Sequence, residues 1–227
     1  VDKEKHMRWV TYLSPSGGSE RVGALDDGDV LGSPDPVRLA DLLEAGGDAL
    51  TGAHERAVAS PIEIIVEPEA RMCAPLVPAE PVPVRAGDDV WQIPPELVRG
   101  SDDAVPPRAS SARVGVAAVA GGGASVSAYT PACLWLDGEG QPVQLTLGPV
   151  LTTADEVPGE PLNVSASVEE GELGRGLADP AHEWLVSGPG RVRALLPVAT
   201  PPLETDDELF VDADVLGTFE VRVGSQV

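Results

Sequence analysis

Residues 111–136 read SARVGVAAVAGGGASVSAYTPACLWL, two long runs of small apolar residues around a glycine turn, with Arg113 as the only charged side chain. An apolar run of this kind is the pattern of a fully buried strand, not of one that faces water on one side. It has the layout of an enzyme's central strand and the loop after it, yet it holds no carboxylate, no His and no Lys. A chain organised around such a segment is a β protein, and its chemistry has to come from something other than acids on that strand.

Turn signals surround the segment. The chain of 227 residues has 23 prolines and 25 glycines with an ordinary apolar fraction of 42%, which implies many turns and not disorder. MRWVTYL (7–13) and RVGAL (21–25) read as strands and DDGD (26–29) as a hairpin turn. Over the next segment Asp35 is placed to cap a helix, Pro36 to start it, Leu39, Leu42 and Leu43 to form its apolar face and Gly46 to stop it. A second short helix is expected at 52–59, bounded by Pro61, and IEIIVE (62–67) as a strand. Residues 74–108 are proline-rich and suit edge strands and extended connections. Strand-like runs follow at 112–120, 125–129, 143–151, 161–168, 191–199 and 208–223.

The fold class expected is α+β, mainly β: residues 7–73 as a small α/β N-terminal domain, 74–108 as a connector and 109–227 as a sandwich, roll or barrel-like β core. The runs 143–158 and 203–223 are expected as neighbouring strands of that core. Residues 1–6, VDKEKH, read as a cloning remnant; without them the chain has no lysine.

Composition excludes several function classes. A net charge of −22 disfavours nucleic acid and anionic membrane as partners, because both need cations to displace counterions. No run approaches the roughly 18 to 20 apolar residues of a membrane helix. Two cysteines, Cys73 and Cys133, make no disulfide framework, and a reduced cytoplasmic setting is expected. Beyond residues 1–6, the two histidines, His54 and His182, and the two cysteines lie far apart and show no zinc spacing. There is no G-x-S-x-G elbow. GGGAS (121–125) lacks the lysine of a phosphate loop and reads as a tight hairpin turn. The acids 169–172 and 204–208 read as solvated turns, and His54 and His182 as capping or surface residues.

The order of segments resembles the fumarylacetoacetate hydrolase (FAH) family. LGPVLTTADEVP (147–158) is similar to that family's LGPWLVTADE(L/V)P, and LETDDELFVDADVLGTFEVRV (203–223) to its closing L-x-x-G-D-x-V-x-V-x-I-x-x-L-G-T-L-x-N-x-V. MRWVTYLSPSGGSERVGALDDGDVLG, MCAPLVPAEPVPV and IPPELVRGSDDAVPP resemble its entry domain, connector and pre-core stretch. The resemblance implies a mixed β-sandwich roll behind a small α/β domain, and a homodimer. In the family, two Glu of D-Y-E-x-E-L-A-x-V-I-G and the Asp of G-Y-T-x-x-N-D-W hold a divalent metal. Those places fall here on Arg113, Gly115 and Leu134. The family's catalytic lysine falls on Glu139, and the segment of its lid His, between about 77 and 91, is shortened.

The resemblance therefore implies the family's fold without its metal, and no other cofactor is expected. Arg113, Tyr129, Leu134, Trp135, Thr200 and Trp91 are the expected walls of the old pocket. Thr200, in VATPP, matches the family's substrate-facing Thr of T-G-T-P. Two functions follow. One is a metal-independent catalyst that cyclises or isomerises a natural-product intermediate by shape and hydrogen bonding. The other is a non-catalytic protein that binds a ligand or stabilises a partner. A surviving closed pocket favours the first, and a pocket filled by Leu134 and Trp135 favours the second.

Overall fold

A computed structural model describes residues 7–122, 125–169, 171–188 and 190–224. The expected remnant 1–6, and Gly123 and Ala124 of the glycine turn, lie outside the described residues. The chain is mostly β. Its strands are β1 (Arg8–Leu13), β2 (Glu20–Asp26), β3 (Asp29–Gly32), β4 (Ile64–Val66), β5 (Arg71–Met72), β6 (Val82–Ala86), β7 (Asp89–Ile93), β8 (Val98–Arg99), β9 (Ser111–Ala120) and β10 (Val126–Leu136). After these come β11 (Pro142–Leu147), β12 (Val150–Thr153), β13 (Leu162–Val168), β14 (Gly171–Ala178), β15 (Val192–Ala199), β16 (Glu208–Asp212) and β17 (Thr218–Arg222). Helices α1 (Leu39–Ala45) and α2 (Gly47–Ala59) follow β3, and α3 (Glu183–Ser187) follows β14. No helix among the described residues is long and apolar enough to cross a membrane.

Thirteen strands form one large sheet, ordered β4-β3-β2-β1-β12-β10-β9-β15-β6-β7, with β5 beside β1 and β11 bridging β10 and β8. The antiparallel set β14-β13-β16-β17 forms a second, smaller sheet. Because β1 pairs with β12, residues 7–73 and 109–227 share one hydrogen-bonded sheet. The proline-rich stretch supplies β6 and β7, with β7 outermost and β6 parallel to β15 at Val84 and Arg85, so that Pro83 falls outside the paired register with β15.

The two β motifs expected to be neighbours separate. Residues 142–153 lie in the large sheet as β11 and β12, while 208–222 form the hairpin β16–β17 of the small one. They meet through side chains instead, Val143, Ala154 and Val157 packing in the same core as Leu209, Val211 and Phe219. Two apolar motifs can share a core face to face as well as side by side, and the sequence alternation is the same in both cases.

Strand pairing explains the charge-free segment. Along β9, Ala117 and Val119 face a core that holds Trp9, Leu42, Leu43, Leu134 and Leu147 under α1 and α2. Val114, Val116 and Ala118 face a second core with Tyr129, Cys133, Trp135, Val164 and Leu209, between the large sheet and the small one. Both faces are buried, so neither carries the polar half of an alternating strand. Strand β10 runs on through Pro131, past the expected end at 129. Its neighbour changes there from β12 at Ala128 and Tyr129 to β11 at Ala132, so the missing N–H falls at a break in the ladder. Gly148 makes the switch possible, since a Cβ there would stand 2.9 Å from Pro131 Cδ.

Local signals mostly place the turns correctly. Asp27 and Gly28 have φ of 49° and 86°, the left-handed pair of a two-residue hairpin. Leu39, Leu42 and Leu43 are buried and Gly46, at φ 96°, ends α1. The helix begins after Arg38, however, and Asp35 does not cap it; its carboxylate accepts from Arg56 Nε of α2 at 2.8 Å. His182 does cap a helix, its Nδ1 accepting from Trp184 N at 3.1 Å.

Two polar clusters tie the elements down. Glu63 accepts hydrogen bonds from Tyr12 Oη at 2.7 Å, Ser14 Oγ at 3.0 Å and Ser16 Oγ at 3.3 Å, with Arg21 at 3.7 Å. Burial alone would raise its pKa; the donated hydrogen bonds and Arg21 outweigh burial and leave it below the ordinary carboxylate range. On β15, Arg193 is only 3% exposed. Its guanidinium donates to the carbonyls of Leu185, Val186, Gly188 and Gly190 at 2.5 to 3.1 Å, at and just past the C-terminus of α3. A cation is favoured there because the helix end carries negative partial charge.

Arg193→Met is therefore expected to lower stability by about 3 kcal/mol, since it leaves several carbonyls at the end of α3 without a donor. In a chain of this size that is a fall in Tm on the order of 6–12 °C, with Arg193→Lys recovering only part of it. Glu63 has the sign of a depressed carboxylate: its stabilisation is present above its unfolded-state pKa and lost as pH falls through the lower folded value. Urea unfolding of the wild type should weaken over that acidic window, and Glu63→Gln should remove that part of the pH dependence.

Candidate functional site

The three residues that stand where the resemblance puts metal ligands are brought together. Arg113 and Leu134 are direct cross-strand partners in the β9–β10 ladder, and Gly115, opposite Ala132, lies two residues along on the same face. Nothing else about the place suits a cation. Leu134 is fully buried among the apolar residues of the first core. Gly115 is closed over by β15, whose register shifts between Leu195 and Val198 so that the chain bulges across it. A Cβ on Gly115 would collide with the Leu195 carbonyl oxygen and stand 2.6 Å from Leu196 Cα and 2.7 Å from Pro197 Cδ. Arg113 is half-buried, and its side chain makes no hydrogen bond or ion pair among the described residues.

The other expected wall residues do not share a cavity with these. Tyr129 and Trp135 project from β10 to the face opposite Leu134, into the second core. Each has its polar atom used internally: Tyr129 Oη donates to the Pro180 carbonyl at 3.0 Å, and Trp135 Nε1 to Thr146 Oγ1 at 3.0 Å. Thr200 binds the backbone of β9, its Oγ1 accepting from Ala112 N at 2.9 Å and its N–H donating to the Ala112 carbonyl at 3.0 Å. Trp91 lies on β7 and packs against the first core. The alternation of β10 sends Leu134 and Trp135 to opposite sides, into the two different cores, so these two do not line one pocket. Glu139 is exposed in the turn after β10, whose backbone is held by the Asp137 carboxylate.

No protein-family model matches the chain, and no curated protein matches it in sequence. Its fold is matched by solved structures over nearly its whole length. A fumarylacetoacetate hydrolase from Exiguobacterium antarcticum superposes with a TM-score of 0.77 at 14% identity, over 97% of this chain and 100% of that one. The chain has the FAH fold. Maleylpyruvate hydrolase from Sphingobium sp. SYK-6 gives a TM-score of 0.74 at 17% identity, over 96% and 99% of the two chains. A 2-hydroxyhepta-2,4-diene-1,7-dioate isomerase from Mycobacterium marinum gives 0.67 at 14%, over 96% and 98%. FAH-fold neighbours thus include hydrolases and isomerases, and the Sphingobium enzyme has also been solved with manganese(II) and pyruvate.

A divalent metal of the hard, oxygen-seeking kind does not fit the residues present in this FAH-fold chain. Arg113 offers a permanent cation, Leu134 a hydrocarbon and Gly115 no side chain, where such an ion needs several oxygen ligands. Among the described residues no group of three or more His, Cys, Asp or Glu could hold a metal elsewhere. Cys133 is buried, which pushes its thiol well above the ordinary range, and burial raises Cys73 to about 11, so neither offers a ready thiolate.

Open space lies at the other end of β9. A cavity of about 470 Å³ opens between α1, residues 76–81 and the paired ends of β9 and β15, over Leu43, Leu76, Val119 and Val192. A second of about 540 Å³ adjoins it, lined by Gly121, Gly122, Ser187, Gly188, Arg191 and Arg193 among others. Sequence reasoning missed this region; the signal that could have found it is Arg-Val-Arg at 191–193, at the head of a strand-like run, since charge at alternate positions of a strand marks one face.

Gly115→Ala is expected to cost about 3 kcal/mol or more, because backbone and not a flexible side-chain tip stands in the way of the methyl group. Gly138→Ala, in a turn with nothing within 4 Å of its added Cβ, is the control and should change stability little. Urea denaturation of both variants measures the difference.

Proposed function

We propose that this FAH-fold chain is a small-molecule-binding protein that has given up metal-dependent carbon–carbon bond hydrolysis. The observation that carries the reading is the bulge of β15 across Gly115. Together with Leu134, buried opposite Arg113, it puts backbone and hydrocarbon in the space where the resemblance places metal and substrate. Leu134 is buried in the first core and Trp135 in the second, so of the two only Leu134 lies on the side of Arg113 and Gly115. Function then belongs to whatever the remaining cavities hold, since a fold by itself does not specify chemistry.

A second reading draws on the 470 Å³ cavity itself. Asp41, Glu44 and Glu80 line it beside an apolar floor. A carboxylate next to a bound enolic intermediate can move a proton, so isomerisation or cyclisation of a natural-product intermediate without a metal needs that cavity and one of those three acids. In that case Asp41→Asn, Glu44→Gln or Glu80→Gln abolishes turnover with binding retained, whereas a binding protein shows no turnover to abolish.

The test of the principal reading is metal content and melting. Purified protein should retain no stoichiometric magnesium, manganese or calcium after gel filtration. Millimolar divalent ion should leave Tm unchanged. A specific ion at a hundred times its Kd would add about 2.7 kcal/mol, a rise on the order of 5–11 °C, and a rise of that size would overturn the reading.

A further inference from the structure

The geometry points to a binding site for an amphipathic anion, a small molecule with an apolar body and one carboxylate-like group, across the two adjoining cavities at the α1 end of β9 and β15. This deepens the small-molecule reading above and rests on it. The two cavities share Ala120 and Arg191. On one side of Arg191 the floor is hydrocarbon, with Leu43, Leu76, Val119 and Val192, and the carboxylates Asp41, Glu44 and Glu80 stand around it. On the other side the lining contains Arg193 and glycine backbone and, among the described residues, no carboxylate, so the charged end of the ligand belongs there. Their volumes fall in the range of ordinary small-molecule sites.

Charge makes the second cavity unusual for this molecule. The chain carries −22, yet Arg191 and Arg193 both line this cavity with no acid among its described lining residues, Glu44 reaching Arg191 from the first cavity. Arg193 is fixed: carbonyls alone hold its guanidinium, and its four bonds to them leave one of the five guanidinium N–H donors unspent. A positive group held in place before a ligand arrives costs little to use when it does. Arg191 is the mobile partner. Its side chain is 55% exposed, and its one ion pair, with the 60% exposed Glu44 at 3.3 Å, is of the weak, solvent-screened kind that a ligand carboxylate can replace.

The local sequence keeps this junction open. Gly121 and Gly122 lie against the C-terminus of α1, where a Cβ on Gly121 would stand 2.7 Å from the Leu43 carbonyl oxygen and one on Gly122 would collide with that of Glu44. The Ala120 N–H donates to the Arg191 carbonyl at 2.7 Å, which holds the two strand ends together under both cavities.

Calorimetric titration of the intact chain tests the site with three probes: decanoate below its micellar concentration, decanol, and sulfate. Decanoate should bind saturably at one site and about tenfold or more tighter than either of the others, because only it has both the apolar body and the charge. Arg191→Gln should weaken decanoate about tenfold with no change in melting temperature, as the side chain is exposed. Glu44→Gln, which removes a competing carboxylate and frees Arg191, should tighten it. Equal affinity for decanoate and decanol overturns the anion-binding half, and equal affinity for decanoate and sulfate overturns the apolar half. No saturable binding, or an Arg191→Gln variant that binds like wild type, overturns the site altogether. Those failures leave metal content unchanged, so they are distinguishable from failure of the metal-free reading, which the ion-dependent melt reports.

Discussion

The antiparallel pairing of β9 with β10 governs this molecule, because side chains on the two faces of that pair enter two different cores. The first core reaches toward the N-terminal strands and helices and the second toward the small sheet. Placing charge on either face would bury it, at a cost of several kcal/mol unless a partner came with it. That is the physical content of a stretch of 26 residues in which only Arg113, near the start of β9, carries charge. The small residues of β9, four alanines and a glycine among ten, let β10 and β15 pack closely on both sides.

Much of the fold was legible for local reasons. Alternation and strand formers located β1, β2, β9, β13 and β15, and the Asp27–Gly28 turn and the Gly46 stop follow from backbone conformations that favour those residues. What was not legible depended on distant partners. Asp35 has the composition of a cap but is engaged by Arg56, 21 residues away, and no spacing rule shows that. Pro131 looks like a strand breaker, and it is tolerated because two other strands change places beside it. The strands β16 and β17 carry the same alternation whichever sheet they join.

The site divides in the same way. The loss of oxygen ligands at Arg113, Gly115 and Leu134 could be read from residue types once the resemblance supplied the positions. The closing of the space could not, because it arises from a register shift in β15, some 80 residues further along. The grouping of six residues into one pocket failed for a simpler reason: Leu134 and Trp135 are consecutive on a strand. The same alternation along β15, where Arg193 and Ala194 face opposite ways, offered a signal for the arginine-lined cavity that the sequence reading did not use.

The bulge over Gly115 also bears on ancestry. If the chain descends from a metal-binding protein, its three substitutions are not equivalent steps. An acid returned to position 113 or 134 would meet at worst a charge or packing conflict, whereas one returned to 115 meets the backbone of β15. The bulge would first have to move, and Thr200, which ties that strand's end to Ala112, holds it in register. On that descent, mutation at the ligand positions alone has no gradual route back, because the neighbouring strand acts as a ratchet.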